Sequence, residues 1–160
     1  NLEYQKLKED MGNTSLSFHQ ILTLASIIEK EGVTDEDRKL ISGVFYNRMN
    51  NDMPLQSDIT VLYALGEHKE LVTIKDTEVD SPYNLYKHTG LGPGPYNSPS
   101  LSAIQAAIYP TASDYFYFVA DIETGNVYYA TTLEEHEALV AKYVNKNSGQ
   151  ESSLCQIVRL

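Results

Sequence analysis

With a single cysteine, Cys155, the chain cannot form an internal disulfide. No cysteine–histidine cluster has the spacing of a zinc site, and no acidic loop has the pattern of a calcium-binding helix–loop–helix. Basic residues are scarce: 12 lysines and arginines stand against 22 aspartates and glutamates, a formal charge of −10. Nucleic acids and anionic membrane surfaces need a basic patch, so a polyanion would have to be held by a shaped cleft rather than by bulk charge. No stretch approaches the roughly 18 apolar residues of a membrane span, and the first residues lack the apolar core of a signal peptide. A phosphate-binding glycine loop and a nucleophile elbow are also missing, and His19, His68, His88 and His136 are scattered. Nucleophilic serine or cysteine chemistry is thus poorly supported. The length of 160 residues suits one domain with a genuine core, and the opening on Asn1 reads as a segment cut from a longer protein.

Against these absences stands the run Leu24-Ala25-Ser26-Ile27-Ile28-Glu29-Lys30-Glu31-Gly32. Ile21, Leu24, Ala25 and Ile28 repeat at i, i+3, i+4 and i+7, the spacing of one buried helical face. At about 100° per residue, Glu31 projects between Leu24 and Ile27 and borders that face. Glu29 borders the other edge, near Leu22 and Ala25, and Lys30 points to solvent. Poor hydration and the negative end of the helix dipole both favour a protonated Glu31. An acid that keeps its proton near neutral pH is a candidate general acid. A glutamate near a helix end is also an ordinary surface residue, and the pattern alone does not make an enzyme.

Ser17 with Gln20 forms a capping box that opens this helix, and Gly32 ends it. Thr34 with Asp37 opens a second helix whose face is Leu40, Ile41, Val44, Phe45 and Arg48. A polar turn and the run Leu55-Gln56-Ser57-Asp58 lead into a short helical pattern over residues 59–65, and residues 66–80 read as a turn with one short helix. Residues 81–99 hold four of the six prolines and three of the nine glycines, which excludes a helix or a central strand. A long irregular loop of this kind is usually functional or disordered, and its Tyr83, Tyr86 and Tyr96 argue against disorder. Ser98-Pro99 predicts a helix with proline at its first position, running to Tyr109 with the face Leu101, Ile104, Ala107 and Ile108. Residues 115–121, the turn Glu123-Thr124-Gly125-Asn126 and residues 127–130 read as a β-hairpin. Thr132 with Glu135 is a second capping box, opening a last helix to about Val144. The expected fold is α+β: a mainly helical single domain with a small antiparallel hairpin and a long Pro/Gly-rich loop. Residues 1–16 form an N-terminal segment, 17–144 the domain, and 145–160 a tail with a polar linker and a short apolar end.

Three polar groups accompany Glu31. Asn47-Arg48 lies late in the second helix, where the arginine reads as half of a salt bridge or as a substrate contact. Gln56-Ser57-Asp58 interrupts an apolar context before a helix, where Ser57 or Asp58 is a candidate N-cap or a ligand contact. Ser81-Pro82-Tyr83-Asn84-Leu85-Tyr86 opens the loop, and tyrosines beside amides and hydroxyls suit a carbohydrate, or else pin the loop to the core.

Taken in order, these motifs resemble the catalytic domain of the YceG-like (MltG-type) endolytic murein transglycosylases, most closely versions from Gram-positive bacteria. Beside the acidic helix end, the resemblance rests on Val44-Phe45-Tyr46-Asn47-Arg48, Met53-Pro54-Leu55-Gln56-Ser57-Asp58, Ser81-Pro82-Tyr83-Asn84 and Gly90-Leu91-Gly92-Pro93-Gly94-Pro95. Tyr117-Phe118-Val119-Ala120 and Thr132-Leu133-Glu134-Glu135-His136 complete it, so that it spans residues 22–143. Gly92, and Ser57 where many members have threonine, are small departures. The resemblance implies lytic cleavage of the β-1,4 bond between N-acetylmuramic acid and N-acetylglucosamine in peptidoglycan, with Glu31 as the family's catalytic acid. On that reading Asn47, Gln56, Ser57, Asp58, Tyr83, Asn84 and Tyr86 are the candidate substrate-binding residues. It implies no metal or cofactor, and no nucleic-acid partner. It also implies an N-terminal membrane anchor outside this sequence, action at the extracytoplasmic face of the membrane, and association with penicillin-binding proteins and other elongation proteins. A hydrolase with Asp58 activating water, and a glycan-binding scaffold without turnover, are the alternatives. A pyridoxal-phosphate lyase needs a lysine in a pocket, which solvent-facing Lys30 does not supply.

Overall fold

Capping chemistry sets most element boundaries. The computed structural model describes residues 2–69, 71–121 and 123–144; the tail 145–160 lies outside the described residues. In chain order, α1 covers Leu2–Asp10, α2 Phe18–Glu31, α3 Asp35–Asn50, α4 Asp58–Leu65, α5 Leu101–Ile108 and α6 Leu133–Tyr143. Strands β1 (Tyr117–Ala120) and β2 (Val127–Ala130) pair antiparallel, with Tyr117 opposite Ala130 and Ala120 opposite Val127. The architecture is α+β and mainly helical, as expected. Both capping boxes form, Ser17 with Gln20 and Thr132 with Glu135, and Thr34 accepts the Asp37 N–H at the start of α3.

The core lies where α2, α3 and α5 meet. Ile21, Leu24, Ile27 and Ile28 of α2 are fully buried, and each contributes about 1.5–3 kcal/mol of apolar burial. Ala103, Ala106 and Ala107 are the buried side of α5, and such small side chains allow close approach to α2. Phe45 of α3 and Phe118 of β1 meet edge to face at 5.8 Å, joining the hairpin to this core, and α6 packs across both strands. Leu7 of α1 also packs against the core.

One local expectation is corrected. Helix α5 starts at Leu101, not Pro99, because Ser100 is the N-cap: its Oγ accepts the Ala103 N–H while donating to Glu29. Of the expected face, Ala107 and Ile108 are buried, while Leu101 points outward, 49% exposed, and Ala103 and Ala106 lie inward. Gly32 ends α2, as expected, with extended torsions (φ −119°, ψ 144°). A Cβ there would lie 2.9 Å from Arg38 Cγ and 3.2 Å from Arg38 N, so glycine serves the close approach of α3.

The later part of the Pro/Gly-rich loop is tied to α2. His19 Nε2 donates to Pro93 O (2.8 Å), the Tyr96 N–H donates to Ser26 Oγ (3.0 Å), and Asn97 Nδ2 donates to Ser26 O (2.7 Å). These bonds set Tyr96 and Asn97 beside the end of the helix that carries Glu31. Among the described residues no helix is long and apolar enough to cross a membrane.

His136, on α6, is 4% exposed and stacks on Tyr117 at 5.2 Å, with no partner for Nδ1 among the described residues. Burial, and after it the Arg48 cation, push its pKa down from 6.5 to about 4. The unfolded chain therefore binds this proton more readily, and stability falls as pH drops from about 6.5 towards 4. Between pH 7.5 and 4.5 the loss attributable to this side chain is expected to be about 2 kcal/mol. Urea titrations of wild type and His136→Phe, which keeps a ring against Tyr117, should show the variant losing that much less over the interval. Parallel pH profiles would remove His136 as the cause.

Candidate active site

The last turn of α2 presents three charged side chains with different surroundings. Glu29 enters the seam with α3 and α5: Oε2 accepts from Ser100 Oγ (2.6 Å) and Ser100 N (2.9 Å), and Oε1 from Arg38 Nη2 (3.4 Å). The Ser100 hydroxyl, helped by its N–H and by Arg38, holds the Glu29 carboxyl below the usual range against partial desolvation. Glu29 is an ionised brace. Lys30 is exposed. Glu31, half-buried, lines a groove of about 930 Å³ together with Asp58, Ile59, Tyr63, Tyr96 and Asn97. That volume is within the range of small-ligand sites, roughly 300–1,000 Å³.

Ser57 occupies the N-cap of α4 yet makes no capping bond. Its hydroxyl donates instead to Glu31 Oε1 at 2.5 Å, from a residue only 1% exposed. The cap is given up and the carboxylate is held in one orientation. The residue before it, Gln56, has a positive φ of 56°, a conformation that is uncommon outside glycine and that redirects the chain into Ser57 and Asp58. The Gln56 N–H donates to Leu85 O (3.0 Å), which ties this turn to the Pro/Gly-rich loop. Asp58, the first residue of α4, accepts the Tyr86 hydroxyl at 2.8 Å. Burial, then the Asp58 carboxylate, raise Tyr86 far above an ordinary phenol, so it remains a donor at any working pH.

The structure therefore gathers Glu31, Ser57, Asp58 and, behind them, Tyr86. It places the other candidates elsewhere. Asn84 is fully buried, with Nδ2 donating to Thr77 O and Val79 O (both 2.8 Å) and Oδ1 accepting from Tyr86 N (3.0 Å); it fastens the loop. Asn47 Nδ2 donates to Ser113 O and Tyr115 O (both 2.8 Å), anchoring the approach to β1. Gln56 Oε1 accepts from Arg48 Nη1 at 3.5 Å. The Tyr83 ring lies against Tyr63 and Tyr96, with centroids 4.7 and 5.8 Å away. Arg48 makes no ion pair among the described residues; it donates to two main-chain carbonyls and to Gln56 Oε1.

Two groove residues escape a reading of the sequence. Asn97 lines the groove with a buried Oδ1 that has no hydrogen-bond partner among the described residues. Its position in an irregular loop gives no periodic signal. Tyr63 belongs to a short apolar helix, where an aromatic residue passes for core, yet it is 45% exposed.

Residues 1–142 match the YceG-like family. The chain is 51% identical over 150 residues to a protein from Streptococcus pneumoniae strain R6 named endolytic murein transglycosylase, covering 91% of this chain and 26% of that protein. It is 45% identical over 148 residues to a protein of the same name from Bacillus subtilis strain 168, covering 92% of this chain and 41% of the relative. A 2.6 Å crystal structure of a YceG-like protein from Listeria monocytogenes superposes with a TM-score of 0.81 at 53% identity, covering 86% of this chain and 45% of that one. The chain thus spans between about a quarter and two-fifths of these curated relatives. On a match that takes in both the groove and the acidic helix end, this chain belongs to the YceG-like family.

Proposed function

We propose that this chain cleaves the MurNAc-β-1,4-GlcNAc bond within peptidoglycan glycan strands and leaves 1,6-anhydroMurNAc ends, the reaction of an endolytic lytic transglycosylase. The observation that carries the reading is a half-buried carboxyl, Glu31, oriented by the Ser57 hydroxyl at the wall of a groove large enough for sugars. The relatives' name, endolytic murein transglycosylase, supports it. In this scheme protonated Glu31 gives its proton to the glycosidic oxygen as the bond to the anomeric carbon breaks and an oxocarbenium-like centre develops. The muramoyl 6-hydroxyl then closes on that carbon and returns its proton to the Glu31 carboxylate, so no water is consumed. Asp58, steadied by Tyr86, faces the same groove and is the specific observation favouring a hydrolytic alternative, in which it would activate water. The same proposal places the whole protein at the extracytoplasmic face of the membrane, with glycan synthases such as penicillin-binding proteins as partners.

Mass spectrometry of products from purified glycan strands separates the readings. Anhydro ends are expected; reducing ends would support the hydrolase, and binding without products a scaffold. Ser57 gives a second test. Because its hydroxyl orients Glu31 and caps nothing, Ser57→Ala should lower kcat about tenfold or more. The same change should cost about 1 kcal/mol of unfolding free energy. A large stability loss with unchanged kcat would instead assign Ser57 to the fold.

A further inference from the structure

One face of α4 lines the groove. Ile59, Leu62, Tyr63 and Gly66 follow the i, i+3, i+4, i+7 spacing of a helical stripe and line the groove with Asp58, whereas Thr60 and Val61 are buried on the opposite side. On this stripe stands Tyr63, 45% exposed despite its size. Its ring is braced from behind: Tyr83 lies 4.7 Å away, and Tyr96 meets it edge-on at 5.3 Å. The brace is itself fixed, because the Tyr96 hydroxyl reaches both Tyr83 O (3.1 Å) and Leu91 O (3.3 Å). The outcome is a braced aromatic face open to the groove that Glu31 also lines.

We infer that Tyr63 is a stacking platform for a pyranose ring of the glycan strand, a subsite separate from the point of cleavage. This inference rests on the proposed function. Ser57, whose hydroxyl holds Glu31, and Tyr63 are six residues apart along α4, about 9 Å at 1.5 Å per residue, so Tyr63 faces a neighbouring sugar rather than the ring being cleaved. A sugar offers an apolar face to the ring and hydroxyl edges to the surrounding polar groups, which is the chemistry that this wall presents. Ile59 and Leu62 supply an apolar lining, suited to an N-acetyl methyl group.

The test is turnover of purified glycan strands of graded length by wild type, Tyr63→Ala and Tyr63→Phe, with an unfolding midpoint for each. Loss of the ring should raise KM about five- to tenfold on long strands. That penalty should shrink as strands become too short to reach the platform, and Tyr63→Phe should restore most of the affinity. A purely structural role would impose the same penalty at every length. A penalty independent of length, or none, overturns the subsite while leaving the proposed function intact. If Tyr63→Ala does not fold, Tyr63→Leu keeps apolar cover on Tyr83 and Tyr96 without a ring and carries the same comparison. If wild type cleaves no strand, the proposed function fails, and calorimetric binding of the same strands still decides the subsite: weaker binding by the ringless variant supports it, and equal binding refutes it.

Discussion

Replacing Glu31 with glutamine should reduce release of anhydro-ended products from glycan strands by about 10³-fold, the scale of a lost general acid. The amide is nearly isosteric, and its carbonyl oxygen can still accept the Ser57 hydroxyl that now reaches Oε1. The unfolding midpoint should therefore stay close to that of wild type, and strands should still bind. What the variant lacks is a proton to give to the leaving oxygen and a carboxylate to receive one from the 6-hydroxyl. Quantifying muropeptide ends by mass spectrometry alongside a denaturation curve checks both halves. A rate near that of wild type would dismiss Glu31 from the chemistry.

The second large effect concerns stability and lies at Arg48. This side chain is 1% exposed, and its Nε and Nη1 donate to Phe116 O (2.6 Å) and Pro54 O (2.8 Å). Its guanidinium carbon lies 4.9 Å from the centre of the Tyr117 ring. One cation thus ties the end of α3 to the turn before α4 and to the entry of β1. Arg48→Met keeps the length and removes every donor, so the two carbonyls lose their partners at about 1–3 kcal/mol each. Relief from burying a charge that pairs with no carboxylate offsets part of this. A net loss of about 3 kcal/mol is expected, near 10 °C in Tm for a chain of this size. Lysine should not rescue it, because a point charge cannot reproduce the planar fork. Chemical denaturation of the three proteins decides, and a methionine variant as stable as wild type would show that the cost of burying the cation dominates.

The contrast between what the sequence disclosed and what it concealed follows the range of the interactions. Ser17 with Gln20, Thr34 with Asp37, and Thr132 with Glu135 act across three residues, and so the helix starts they define were readable in advance. The hairpin was readable for the same reason, with Gly125 in its turn at a φ of 75°. Glu31 is marked in the sequence by its place at the edge of the apolar helix face, by the helix dipole and by the resemblance to the YceG-like family. The allotment of the other polar side chains depended on partners far along the chain. Asn84 resembled a sugar contact until the carbonyls of Thr77 and Val79 folded back onto its amide. Arg48 had the appearance of half an ion pair, and only folding brings Phe116, 68 residues on, to its Nε. Tyr63 carries no signal of its own, because a short apolar helix does not disclose which of its sides the rest of the chain will cover.

Glu29 and Glu31 are two residues apart on one helix, of identical chemistry, and their difference is decided at position 100. The serine there satisfies Glu29 with both its hydroxyl and its main-chain N–H, and this leaves the neighbouring carboxyl as the one directed at the groove. Any homologous chain that keeps both glutamates but carries no hydroxyl at the corresponding place would have to restrain the first of them by other means. Without such a restraint, a mobile Glu29 would share the helix terminus with the Glu31 that Ser57 holds, and its charge would alter the proton affinity of that neighbour.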